Sequence, residues 1–562
     1  MTALGGSNRK RRNRRIIIAS VAILLLLTTL LSSANRIIEP ILRDRLHTLI
    51  IKGSDSLYVY QLGGLKVNFF GGNVEINNLH IWVDSVRYRK LKSNEALPSL
   101  TMELRLDKGR VVGLGVFALV LNKRIELSEI ISNDAQLVLS RHARNKDSLE
   151  RTPPLWKSIQ PVIESISINK VNLDGVKLLY KNADTSASLK LQFDRCVALF
   201  ENILIDSTSA ADTTRIAFAK NVSMQFYDLK FRTLDSTYKM KAEVIDYRSA
   251  QKKLEIKDFK LQPTLEGEDF FKNAPVQKTR YLVEFKSILL TNLWLDKFIH
   301  NDIILADSVL IREPDIAMET DKMPPPTMDN RIGKYPHQIL MNTKTEIRIG
   351  GIRVSNGKLT TTERAPKTNL KGTITISSLN GLISNVTNDP VTIGRNSQCI
   401  ALMNAKLFGS SPLEAKFTFP LDTQEGNFRV EGSIRNVNAA QLNPVAVPLA
   451  NVRLESLEVN RLGFQLQGDN YSTKGNVQMK YNNLSLVLLK RDEETGQVST
   501  KKFLTKILNR YTIHPANPEA GIERKATDVI YARVSTKAFF GVVWKTIFFG
   551  MQDIMIKTGR YE

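Results

Sequence analysis

The chain has 562 residues, 42% of them apolar and 24% charged, with a formal net charge of +23. The apolar share excludes a disordered polymer, and only two cysteines, Cys196 and Cys399, exclude a disulfide scaffold. The basic balance fits either a solvated surface or an anionic partner such as lipid headgroups, lipopolysaccharide or nucleic acid.

The one dense basic run, Arg9, Lys10, Arg11, Arg12, Arg14 and Arg15, stands just before an uncharged stretch, Ile16–Ser33. As a helix those 18 residues span about 27 Å, near the ~30 Å hydrocarbon core of a bilayer. Residues 16–35 are therefore predicted as a transmembrane anchor, with residues 1–15 as a basic tail held in the cytoplasm by the positive-inside rule. Ser32-Ser33-Ala34 would also serve as a signal-peptide cleavage site. The apolar run exceeds the usual length of such a segment, and Ile37, Ile38, Ile41, Leu42, Leu46, Leu49 and Ile50 continue it at helical spacing. Both readings export the rest of the chain.

Beyond Ile51 the period changes to two. L100-T-M-E-L-R-L alternates without a break, which puts one face on an apolar environment and the other in water. A phrase then recurs. It reads I166-S-I-N-K-V-N-L-D-G-V-K-L, I347-R-I-G-G-I-R-V-S-N-G-K-L, and with variation at Ile125 and Ile304. Each copy alternates, breaks for two polar residues, resumes, and then meets Asn133-Asp134, Asp174-Gly175, Glu313-Pro314 or Asn356-Gly357. The break predicts a bulge or bend that re-phases the side chains. The terminal pairs predict tight turns at which the strand folds back. Partial copies stand at Leu254 and Leu454. About 25 strands at ~4.8 Å spacing would extend ~120 Å.

Met323-Pro324-Pro325-Pro326, with Gly333 and Pro336, predicts a loop at 323–338 dividing the β region into parts at 36–322 and 339–512. Pro153–Glu164 predicts a short helix or connector. The end of the chain, 513–562, predicts a strand and an aromatic amphipathic helix, A538-F-F-G-V-V-W-K-T-I-F-F-G-M-Q-D-I-M-I. That helix would cap the last strands, or lie on a membrane through Phe539, Phe540, Trp544, Phe548 and Phe549. As a span it would carry Lys545 and Asp553 at high cost.

Catalytic signatures are missing. The six histidines form no zinc-protease helix, and no nucleophile elbow, phosphate-binding loop or dinucleotide fingerprint follows a strand. Gly71-Gly72 and Gly350-Gly351 are explained by bends, and Asp302 with Asp307 by chance. No metal or cofactor is expected, and no stripe of basic and exposed aromatic residues points to nucleic acid.

The basic tail, the single helix and Y60-Q-L-G-G-L-K-V-N-F-F-G-G-N-V-E-I-N-N-L-H-I resemble the opening of AsmA-like envelope proteins of Gram-negative bacteria. The phrases at 166 and 347 resemble that family's repeats, and the helix around Trp544 resembles its Bacteroidota-type versions. The resemblance implies a mainly β fold, an inner-membrane anchor, and a bulk of chain in the periplasm forming an elongated, curled repeating β-groove. It implies lipid transport between envelope membranes, with phospholipid or another envelope lipid as partner, and no catalysis. Floor candidates are Ile166, Ile168, Val171, Leu173, Ile347, Ile349, Ile352 and Val354. The alternative is that these residues pack against a facing sheet, in a scaffold for outer-membrane protein assembly with envelope proteins as partners.

Overall fold

The computed structural model describes residues 39–68, 71–94, 97–98, 100–115, 123–142, 163–183, 190–216, 218–233, 235–491 and 498–557. The predicted anchor, 16–35, and the predicted connector at Pro153 lie outside the described residues. Among the described residues no helix is long and apolar enough to cross a membrane. The chain divides into two compact units, residues 1–229 and 230–562. The boundary therefore does not fall at the proline-rich stretch.

The first unit opens on a helix at 39–47 that widens into a π turn at Thr48–Lys52. Its strands are β1 (Tyr58–Asn68), β2 (Asn73–Val83), β3 (Leu100–Val112), β4 (Arg124–Asn133), β5 (Gln136–Arg141), β6 (Ser165–Asn182) and β7 (Lys190–Ile205). Strands β1, β2 and β3 pair antiparallel in order. Strand β3 then pairs with both β4 and β5, and these two lie parallel to one long strand, β6, which pairs antiparallel with β7. Strands β4 and β5 are thus two halves of one line. β8 (Asn221–Arg232) carries the chain into the second unit.

There β9 (Tyr238–Arg248), β10 (Lys253–Pro263), β11 (Lys278–Thr291) and β12 (Ile303–Asp321) form an antiparallel meander. β12 runs parallel to β13 (Glu346–Arg364). Parallel neighbours need a crossover, and the proline-rich stretch supplies it. It is a packed connection, with Tyr335 fully buried and the Arg331 amide donating to the Ser535 carbonyl. Prolines suit it because a crossover contributes no rungs to the ladder.

The ladder continues antiparallel through β14 (Lys371–Thr387), β15 (Gln398–Leu407), β16 (Ser411–Pro420), β17 (Phe428–Asn438), β18 (Val452–Gly468) and β19 (Ser472–Arg491). The far end of β19 pairs with β20 (Val498–Thr500), and its start with β21 (Lys525–Ala532). The main core is at this end. Val430, Leu466, Val477, Met479 and Tyr481 are buried beneath a C-terminal helix, Phe539–Met555.

The expected tight turns are absent at the phrase ends. Asp174-Gly175, Glu313-Pro314 and Asn356-Gly357 lie inside β6, β12 and β13, and Asn133-Asp134 at the joint between β4 and β5. A type I′ hairpin needs two successive residues at positive φ. Each pair here supplies one: Asp134 at φ 57°, Gly175 at 71°, Glu313 at 47° and Asn356 at 53°. One such residue kinks a strand without reversing it.

Candidate functional site

Residues directly opposite on neighbouring strands project to the same face, so the register reads out rows of side chains. In the first unit Val67, Val74, Val111, Ile130, Val171 and Phe200 stand opposite one another in turn. A second row is Tyr60, Ile81, Leu104, Leu137, Leu178 and Phe193, whose ring meets Phe226 at 4.8 Å. In the second unit one row is Tyr247, Leu254, Leu290, Val309, Ile352 and Ile383, and another is Ile245, Ile256, Ile288, Ile311 and Val354. A third is Met240, Leu261, Val283, Ile316, Leu359, Ile376 and Leu407.

The kinks keep these rows on one face. Strict alternation would send residues three apart to opposite faces. Ile383 and Val386 are three apart, yet both pack against the same buried cluster. Between them Asn385 sits at φ 58°. Leu62 and Leu65, on the strand facing Asn78 at φ 53°, likewise pack in one cluster with Val74 and Leu114. A left-handed residue thus absorbs one step of the alternation. The same device separates Ile76 from Leu79 at Asn78, Ile203 from Phe200 at Asn202, and Ile256 from Phe259 at Asp258. Asn and Asp serve because their short polar side chains tolerate this conformation. At Gly350, opposite Asn385, a Cβ would come 2.8 Å from the Asp307 carbonyl oxygen, so close strand approach explains that glycine.

The other face carries most of the charge. Lys260, Glu284, Asp315 and Lys358 form one row, with Lys260–Glu284 at 3.1 Å and Lys358–Asp315 at 3.3 Å. Lys286 reaches Asp258 at 2.7 Å; its hydrogen bond holds that carboxyl below the usual carboxylate range and raises its own pKa. In the first unit Arg195 reaches Asp174 at 2.8 Å. Exposed pairs of this kind add little stability, but they fix register and keep the face wet.

All eight predicted floor residues lie in the ladders and are half-buried. Ile166 stands between Ile125 and Ile205, Ile168 between Leu127 and Ile203, and Leu173 between Ser132 and Ala198. Ile347 stands opposite Ile304, and Ile349 between Ala306 and Val386. Among the described residues, β6, β9, β10 and β11 pack substantially only against their ladder neighbours. The rows of β9, β10 and β11 were missed as site residues, although the partial phrase at Leu254 carries their signal.

Within each unit a helix covers some of the apolar residues. In the first unit Leu42, on the helix at 39–47, packs against the cluster of Leu65, Val74 and Leu114. In the second, Phe539 is 4% exposed, with ring contacts to Tyr335 at 5.2 Å, Phe428 at 5.0 Å and Phe419 at 5.4 Å. Phe539 therefore belongs to the core and does not face outward for a membrane. Phe548 and Phe549 are half-buried, whereas Phe540 and Trp544 are exposed. The helix touches the sheet closely at Gly550, where a Cβ would lie 2.5 Å from Val477.

Both thiols are buried and free, and burial pushes Cys196 up to about 12 and Cys399 to about 11. Among the described residues no cluster of three or more His, Cys, Asp or Glu side chains is placed to hold a metal ion. Asp302 ends a short helix, Leu295–Asn301, in the left-handed region and accepts a hydrogen bond from Thr345, while Asp307 is exposed. Comparison with protein-family models and with curated proteins finds no match for the chain.

Proposed function

We propose that the protein is a lipid carrier held at the inner membrane by residues 16–35, with the β region in the periplasm, where each unit lays acyl chains along its apolar rows. The observation that carries this reading is the apolar face: aligned rows of Val, Ile, Leu and Phe crossing many strands, most of them half-buried and a few, such as Val74, Phe193 and Val309, buried, with charged side chains on the reverse. A lipid leaving a bilayer loses about 0.8 kcal/mol per CH₂ unless another apolar surface takes it up. The rows offer such a surface, and it repeats at intervals along the chain rather than closing round one small ligand. The protein works by binding, so any directional drive comes from a partner.

The test is mass spectrometry of an organic extract of the purified full chain. Phospholipid should co-purify, and Ile168→Asp and Ile352→Asp should each lower the lipid-to-protein ratio. On a face open to water these carboxylates stay solvated, so the far-ultraviolet circular dichroism should be unchanged. A lipid-free extract from gently solubilised protein would refute the reading. One observation favours a scaffold instead, the closed core beneath the C-terminal helix. Crosslinks to an outer-membrane protein in place of lipid would favour that second reading.

A further inference from the structure

A short helical stretch beside the last strands has a surface that the fold does not use. Helix Lys502–Ile507 runs into a π turn, Leu508–Thr512. Its inner side seals the far end of β19. The Leu488 amide donates to the Thr505 hydroxyl at 3.1 Å, and the Lys501 amide donates to the Leu488 carbonyl at 2.9 Å. Asn509 accepts from the Leu486 amide at 3.1 Å and donates to the Leu486 carbonyl at 2.8 Å. Leu508 packs on the main core. The stretch is also tied to the end of the C-terminal helix, since the His514 amide donates to the Met555 carbonyl and the Lys557 amide to the Thr512 carbonyl, both at 2.8 Å. These contacts account for its place in the fold and satisfy an edge that would otherwise stay unpaired.

The outer side is apolar. Phe503 is 76% exposed, Leu504 49%, Ile507 38% and Tyr511 64%. Phe503, Ile507 and Tyr511 follow one another at helical spacing and make one stripe. Around it stand Lys501, Lys502, Lys506 and Arg510, all exposed, and no acidic residue occurs from Val498 to Thr512. The Arg510 guanidinium lies 5.4 Å from the Tyr511 ring centre. A row of cations alongside an apolar stripe, with a fourth at Lys501, complements an anionic lipid surface. Phe, Leu and Ile enter the acyl boundary, Tyr sits at headgroup depth, and Lys and Arg stems let their charges reach the phosphates.

We infer that Lys501–Tyr511 is a docking element for an anionic bilayer surface, distinct from the apolar rows and from the C-terminal helix. It does not depend on what the rows carry. The test uses the full chain held in a phosphatidylcholine nanodisc, with Thr500→Cys labelled by an environment-sensitive fluorophore; the buried thiols stay unlabelled. Adding phosphatidylglycerol vesicles should blue-shift the probe, phosphatidylcholine vesicles should not, and raised salt should weaken the response. The triple variant Lys502→Gln, Lys506→Gln and Arg510→Gln should lower affinity for the anionic vesicles about a hundredfold. The pair Phe503→Ser and Leu504→Ser should abolish the shift with little change in melting temperature, because both side chains are about half exposed or more. A shift of equal size on both vesicle types, or one surviving the serine pair, would overturn the inference. So would silence on both, which would point to a protein partner at this stripe.

Discussion

His337 is 3% exposed, stacked on Phe419 at 4.9 Å, and neither ring nitrogen finds a hydrogen-bond partner. Burial pushes its pKa down to about 4. The unfolded chain takes the same proton at the ordinary value of about 6.5. The folded form is therefore favoured fully above that pH, and this contribution is lost as pH falls from 6.5 towards about 4, by roughly 3 kcal/mol at the limit. His337→Leu should flatten this slope, so the stability of the variant relative to wild type should grow from pH 7 to pH 5 in urea titrations. Parallel curves would remove His337 from the account. At Gly175, φ is 71° and a Cβ would lie 2.5 Å from an Asp134 carboxylate oxygen. Gly175→Val should cost about 2 kcal/mol, since β-branched residues tolerate the left-handed region worst, and Gly175→Asn less. Urea midpoints in the reverse order would mean that the kink is dispensable.

At the scale of elements, the helix Phe539–Met555 divides the aromatic residues that sequence grouped together. Phe539→Ala should cost about 3–5 kcal/mol, as for a large aromatic removed from a packed core. Phe540→Ser and Trp544→Ser, on the exposed side, should change stability by less than about 0.5 kcal/mol. Thermal unfolding of the three variants checks this. The helix itself was legible from its apolar period. Its burial was not, because one amphipathic pattern serves a sheet or a membrane equally well. The strands were legible for a similar reason: I166-S-I and L100-T-M-E-L fix a period of two whatever lies opposite. The two-residue breaks predict re-phasing within the phrase; the left-handed residue lies in the break itself at Asp258, in the partial copy at Leu254, and on the facing strand at Asn385, across from the break at Gly350. The Asn-Gly and Asp-Gly pairs misled because the dipeptide is common to hairpins and kinks. The number of residues at positive φ decides between them, and no side chain announces it. Tyr335 and the prolines before it looked like a divider because proline is expelled from ladders, yet a parallel crossover expels ladders too.

At the scale of the whole molecule, two contributions to membrane residence are separable. If residues 16–35 anchor the chain, full-length protein should stay in the membrane fraction through a high-salt wash. A chain starting at Glu39 should be released by that wash, since only the surface stretch at Lys501–Tyr511 would hold it, and electrostatic adhesion is screened within about 10 Å at ~0.1 M salt. Release of the full chain by salt would argue against the anchor. The net charge of +23 is spread over both units, while the apolar rows stay on the opposite face from most of their ion pairs. Basicity therefore keeps the exterior wet without crossing the rows.

The left-handed kinks have a consequence for how such a chain tolerates change. In an ordinary strand, losing or gaining one residue flips every side chain beyond the lesion. Here phase is restored locally, at Asn78, Gly175, Asn356 or Asn385, so an indel corrupts only the short frame up to the next reset. The kinks act as punctuation in a message that would otherwise be read straight through. A scan of single-residue deletions along β13 should find the mildest losses beside Asn356 and the steepest midway between resets.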